Sequence, residues 1–409
     1  MKKSNRVTSI TLAASLAVTM IGFVPTAAFA ESETEEETET AEAETFGFTG
    51  DITPSVDEIK VGNVNPLSGD SALYGTDQQR GFGMAIEEIN EMGGVYGATI
   101  TLDDYDDQGD AQRAAQGAQK YADDDSYYAI IGSSLSNATL AMAPIIDDAG
   151  IVEMVVSSSS PSLHDCSDYF FRMAVQDDQV GPQMAKAIMD KGYTNIEVLY
   201  PNNDFGINLD TNLEAYVEEN GGTIVNSIDY NASDQDFTAI CTTVKNDAPE
   251  AVALCGTVQD SSLLINQLRA AGVDAFLMGG TSLYNSKALE IAGDNMEGVG
   301  CISVYISSNP DEKVQSFVEK YNEKYGETPD AFAAMAYDEA YVFAIACGHA
   351  MEANDGELTR EGIMEALKET NYDGVTGTVT FDDTNEWVRD YLVLEVVDGE
   401  FVLSDDTEE

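Results

Sequence analysis

Two hydrophobic periods trade places along this chain from end to end. "EIKVGNVNPL" carries the short apolar run of a buried strand. "TDQQRGFGMAIEEINEMGG" then sets Phe82, Ala85, Ile86 and Ile89 on one helical face, with Gly93-Gly94 as the stop. "ATITLDDYDD" reads as a strand and "AQRAAQGAQKYADDD" as a helix. "YYAIIG", a helix from about Asn137 to Ala149, and "IVEMVV" repeat the alternation. A second series runs "NIEVLYP", "GINLDTNLEAYVEENGG", "TIVNSIDY", "DFTAICTTVKND", "AVALCG", "DSSLLINQLRAAG" and "AFLMGG". Strand then helix at this spacing predicts βαβ units and mostly parallel sheets. The later helices "DEKVQSFVEKYNEKYG" and "AMAYDEAYVFAIACGHAMEAN" precede "GTVTFDDTNEWVRDYLVLEVVDGEFVL", which reads as antiparallel hairpin material. The pattern predicts an α/β protein with two doubly wound parallel-sheet lobes.

In such sheets ligands sit at the carboxyl ends of the strands. That rule singles out the loops Pro66–Gly75, Gly132–Asn137, Ser157–Ser160, Pro201–Phe205, Gly256–Asp260 and Gly279–Tyr284. Nearly all are built from Ser, Thr, Asn, Gly and an aromatic, a composition for hydrogen-bonding something small and packing beside it. In "IVEMVVSSSSPSL", Ile151 to Leu163, an apolar run ends in four serines. Helix capping needs one Ser or Asn, not two adjacent serine-rich loops. A helix N-terminus also presents free N–H groups and partial positive charge, so these loops suit a carboxylate, with Ser136 and Ser159 as contacts.

Composition bounds the rest. Lys2, Lys3 and Arg6, the apolar stretch Ile10 to Val24, and Ala28-Phe29-Ala30 together predict a secretory signal (1–30) cleaved after Ala30. No Cys stands at that junction, so a lipid anchor has no residue to modify. Residues 31–55 follow as an acidic, disordered tether, because "ESETEEETETAEAET" has almost nothing to bury. Folded material from near Val56 is too long for one core and right for two lobes. The formal charge of −55 disfavours nucleic acid and anionic lipid as partners. The five cysteines are scattered without CxxC spacing, and Cys241, Cys255, Cys301 and Cys347 lie in apolar surroundings, as buried free thiols do.

Enzyme signatures fail in turn. "RGFGMAI" has Gly81 and Gly83 but Ile86 where a dinucleotide loop needs its third glycine, and neither GxxxxGK[ST] nor GxSxG occurs. His164 and His349 are the only imidazoles, and clustered metal ligands are absent. "LDDYDDQGD" lacks the spacing of a calcium loop and reads as a solvated strand end. A hydrolase using Ser160 or Ser162 with His164 is the weaker rival. No enzyme, metal or cofactor is expected.

These residues together resemble the extracytoplasmic solute-binding receptors of ABC importers, in the branched-chain amino-acid-binding family. The resemblance runs from Asp57 to Leu403 through "IKVGNVNPLSGDSALYGTDQQRGFGMAIEEINEMGGVYG", "FRMAVQDDQVGPQMA", "NDFGINL" and "QLRAAGVDAFLMGG". It implies a periplasmic-binding-protein-like type I fold with three crossing segments between lobes, 56–176 plus 304–387 and 177–303 plus 388–405. By position it implies that Ser136 grips an α-carboxylate, Ser157 and Ser159 assist, Tyr74 packs beside the ligand and Phe205 covers it. Thr281 stands where amino-acid members carry a carboxylate for the ligand ammonium, and Thr257 replaces a tyrosine. Asp177, Asp204 or Asp260 would then supply the charge, or the ligand has no α-ammonium. A disulfide some members carry is missing, with Gly109 and Leu135 at its positions. The implied function is a secreted monomer that captures a small carboxylate solute, foremost an amino acid, for a permease and an ATPase on separate chains. A ligand-sensing receptor domain for signalling, or a binder of a non-amino carboxylate such as an aromatic or aliphatic acid, is the alternative.

Overall fold

The computed structural model describes residues 46–48 and 51–404. The expected signal (1–30) and the first part of the tether (31–45) lie outside the described residues. The first sheet contains β1 (Glu58–Asn65), β2 (Thr99–Asp106), β3 (Tyr127–Ile131), β4 (Val152–Val155) and β5 (Phe170–Arg172). All are parallel, in the order β2-β1-β3-β4-β5. Between them run α1 (Ala72–Glu91), α2 (Ala111–Ala122) and α3 (Ser136–Ala149).

After α4 (Asp177–Asp190) the second sheet alternates strand and helix. Its members are β6 (Asn195–Pro201), α5 (Asp204–Glu219), β7 (Thr223–Tyr230), α6 (Thr238–Asp247), β8 (Ala251–Leu254), α7 (Val258–Ala271), β9 (Phe276–Gly279), α8 (Ser286–Ala292) and β10 (Gly300–Ser303). The chain then adds α9 (Glu312–Tyr325), α10 (Ala331–Ala353), α11 (Arg360–Lys368), β11 (Asn371–Gly374) and β12 (Gly377–Thr380). The last strands are β13 (Leu392–Val397) and β14 (Glu400–Leu403). The second sheet runs β14-β13-β10-β9-β8-β6-β7, with β13 antiparallel to β10. Strands β4 and β8, buried along their whole length, are continuous apolar or nearly apolar runs, as sheets covered on both faces require.

The closing stretch is antiparallel, as expected, but is divided between two sheets. Strand β12 pairs with β11 in a separate two-stranded ribbon, whereas β13 and β14 extend the second sheet. The intervening residues 388–391 carry the chain from one sheet region to the other. Two further passages do the same, at 173–176 between β5 and α4 and at 304–311 between β10 and α9.

The first and third passages begin side by side. Trp387 donates its N–H to the Arg172 carbonyl at 2.9 Å, and the fully buried Arg172 guanidinium grips Glu386 through Nε at 2.6 Å and a second nitrogen at 2.5 Å. A two-pronged pair of this kind is fixed in direction as well as attractive. The long apolar α10 packs along α1, and Gly81 lies there because a Cβ would collide with the Ala333 carbonyl. Gly81 therefore serves helix contact rather than a phosphate loop.

The tether ends earlier than expected. Phe46 sits edge-on to Tyr341 at 5.6 Å, Phe48 packs on Tyr96 at 5.0 Å, and Ser55 donates to the Gly356 carbonyl at 2.7 Å. Two phenylalanines supply the apolar area that the preceding Glu/Thr/Ala run lacks. The cysteines are all free, and Gly109 faces Leu135 where the resemblance would place a disulfide.

Glu153 on β4 is fully buried, and neither carboxyl oxygen has a hydrogen-bond partner. Burial pushes its carboxyl well above the usual range, so the folded protein holds a proton that the unfolded chain releases. This group's contribution to stability therefore falls as pH rises past the ordinary carboxylate range. Glu153→Met should raise unfolding free energy at neutral pH and flatten its decline between acid and neutral pH, read by urea titrations across that interval.

Candidate functional site

Six strand ends of the two sheets converge on one cavity of about 110 Å³. The loop after β1 brings Tyr74, the loop after β3 brings Ser134, Leu135 and Ser136, and the loop after β4 brings Ser157 and Ser159. From the second sheet come Asn203 and Phe205 after β6, Thr257 after β8 and Ser282 after β9. Phe332, in the first turn of α10, completes the wall. None of these side chains is charged.

The local reasons are specific. Gly132 adopts φ 102°, a region that side chains disfavour, and a Cβ there would strike the Val64 carbonyl. Glycine thus lets the β3 loop fold tightly over the end of β1. Ser134 then donates to Asn65 Oδ1 at 2.7 Å, and Ser133 donates to Asp107 at 2.7 Å. Gln78, buried on α1, donates from one nitrogen to Ser134 Oγ and Ser157 Oγ, each at 2.9 Å. That single amide joins the two serine loops.

The serine run divides its work. Ser157 donates to the Ser134 carbonyl at 2.9 Å and Ser158 to the Ser133 carbonyl at 2.8 Å, stitching one loop to the other. Ser160 accepts from the Ser162 N–H at 3.2 Å and from Asn208 of α5 at 3.4 Å. Ser157 and Ser159 face the cavity. Ser136 does not cap α3: Leu135 holds the cap position without a side-chain bond, and Ser136 Oγ accepts the Ser160 N–H at 3.2 Å.

Tyr74 bridges the two sheet regions. Its hydroxyl accepts the Val258 N–H at 3.3 Å, while its ring stands edge-on to Phe332 at 5.3 Å. Burial pushes the phenol up to about 12, so it remains a neutral donor. Asn285 adds a second bridge, donating to Asp330 at 2.7 Å.

Six of the eight residues expected at the site line the cavity: Ser136, Ser157, Ser159, Tyr74, Phe205 and Thr257. Thr281 and Asp177 do not. Thr281 opens a 3-10 turn, where successive side chains point about 120° apart, and its neighbour Ser282 takes the wall position. Asp177 lies behind Ser159, whose carbonyl accepts its N–H at 3.0 Å, and one of its buried carboxyl oxygens has no hydrogen-bond partner. Burial pushes the Asp177 carboxyl up to about 7. Gln78 and Phe332 escaped sequence reasoning, since each sits inside an ordinary helical pattern and no local motif marks it.

The hydrolase rival has no geometry. The His164 ring nitrogens meet Asp178 at 3.4 Å and Arg172 and Glu386 at 3.2 Å, and the Ser160 hydroxyl is turned to Ser162 and Asn208.

Two sheets with a hydroxyl-lined cavity between their strand ends are the architecture of solute-binding proteins of the type I periplasmic class. Residues 58–400 match the family model described as periplasmic binding protein, and the chain belongs to that family. A leucine-, isoleucine-, valine-, threonine- and alanine-binding protein of Pseudomonas aeruginosa is 29% identical over 334 residues, 81% of this chain and 88% of that one. The Leu/Ile/Val-binding protein of Escherichia coli K12 is 25% identical over 81% of this chain and 88% of its own length. Among solved structures, the branched-chain amino acid transporter substrate binding protein LivJ of Streptococcus pneumoniae, in complex with isoleucine, superposes with a TM-score of 0.78 at 26% identity. That match covers 84% of this chain and 97% of LivJ. A solute binding protein of R. palustris in complex with benzoate shares the fold, with a TM-score of 0.77 at 20% identity over 85% of this chain and 95% of that one.

Gln78→Leu should leave the Ser134 and Ser157 hydroxyls without their shared donor and cost about 1–3 kcal/mol of stability, measured by urea denaturation.

Proposed function

We propose that this protein captures a small carboxylate solute between its lobes, 56–176 plus 304–387 and 177–303 plus 388–405, and delivers it to an ABC permease and ATPase on separate chains. One observation carries the reading. The residues at the N-caps of α3, α5 and α7, namely Leu135, Asn203 and Thr257, all line one cavity together with serine hydroxyls. Helix N-termini carry partial positive charge and unpaired N–H groups, so a carboxylate is held there without a Lys or Arg. Ser136 and Ser159 are the hydroxyl donors, and Phe205 covers the solute from the other lobe.

Closure is the mechanism. The Tyr74 bond to Val258 joins the two lobes in the closed arrangement, and a solute touching both sides favours that state by its extra contacts. The names of the Leu/Ile/Val-binding relatives bring an amino acid forward as the first candidate solute. The protein acts outside the membrane as a monomer, after cleavage of its signal at Ala30.

Ser136→Ala should weaken solute binding by about 1–3 kcal/mol through a lost hydrogen bond to a charged group, measured by titration calorimetry. An unchanged dissociation constant would remove Ser136 from the clamp.

A further inference from the structure

We propose that the solute carries no ammonium group, so that the pocket takes a carboxylic acid with an uncharged body. The inference rests on the carboxylate reading above and sets aside the amino acid that the relatives' names bring forward. Three helices of at least fourteen residues start at the cavity wall. Their positive ends attract a carboxylate and oppose an ammonium in the same small space. A buried ammonium needs a carboxylate against it, because desolvating an unpaired charge costs several kcal/mol. No acidic side chain lines this cavity.

Three acids around the wall are committed elsewhere. Asp260, in the first turn of α7, takes the Tyr230 hydroxyl at 2.7 Å and the Thr257 hydroxyl, which stands at the cavity wall in its place. Asp330, beside Phe332, accepts from Asn285 at 2.7 Å and from the Ala333 N–H at 2.9 Å. Asp107 takes the Ser133 hydroxyl at 2.7 Å and the Gly109 N–H at 2.7 Å. Asp177 is behind Ser159 and off the wall, with one buried carboxyl oxygen that has no hydrogen-bond partner. Asp204 is exposed at the start of α5. The remaining wall, from Phe205, Phe332, Leu135 and the Tyr74 ring, is apolar and suits a hydrocarbon body.

The test is calorimetry at neutral pH with matched pairs that differ in the amino group alone: isovalerate against valine, isocaproate against leucine, hydrocinnamate against phenylalanine. Benzoate and the amide of isocaproate complete the set. Binding of a deaminated acid or benzoate, tighter by roughly tenfold or more than any amino acid, is the expected result. Equal or tighter binding of an amino acid overturns this inference and leaves the carboxylate clamp standing. Binding of the amide in preference to every acid overturns the clamp itself, and the inference with it.

Discussion

A parallel strand can return to its own sheet only through a right-handed crossover, and that constraint places the whole site. Each crossover helix must begin where its strand ends. The carboxyl ends of β3, β6 and β8 therefore deliver the N-termini of α3, α5 and α7 to one place. The loops after β1, β4 and β9 arrive at the same edge and add a phenol and three hydroxyls. Positive helix ends and neutral donors meet without any cation having to be buried.

Keeping those loops in register is a matter of polar satisfaction. Gln78, Asn65 and Asp107 lie almost wholly out of water, and each is bonded to a serine of the β3 or β4 loop. Removing one partner would strand the other in a poor solvent, which is what makes such a network hold a single arrangement. The Arg172–Glu386 pair applies the same logic to the passages between lobes. With the guanidinium fully buried, its carboxylate partner at the third passage is obligatory.

The charge distribution separates surface from site. The chain carries a formal charge of −55, yet the solute proposed for it is a carboxylate. In a salty exterior, surface charges are screened beyond about 8 Å. Inside the cavity the field comes from the three helix ends and the hydroxyl dipoles, where screening is weakest. A strongly acidic exterior and an anion-accepting interior are thus compatible, because they act over different distances.

Much of this was legible in the linear pattern. Alternation of strand and helix periods specifies parallel sheets, and parallel sheets specify which loops face a ligand, so Ser136 and Ser159 follow from local order, whereas Phe205 and Thr257 are expected only by position from the family resemblance. Phe332 and Gln78 do not, since their roles come from α10 and α1 lying against loops distant in the chain. Nor does the exchange of Thr281 for Ser282, which turns on the pitch of a single 3-10 turn. Phe46 and Phe48 looked like the end of a tether until tertiary contact gave their rings a surface. Sequence by itself determined the periods, the lobes and the composition of the loops, because those depend on neighbours a few residues apart. Only the tertiary structure decided which side chains meet in the cavity and which acids are already bonded, because contacts across hundreds of residues leave no local periodicity to read.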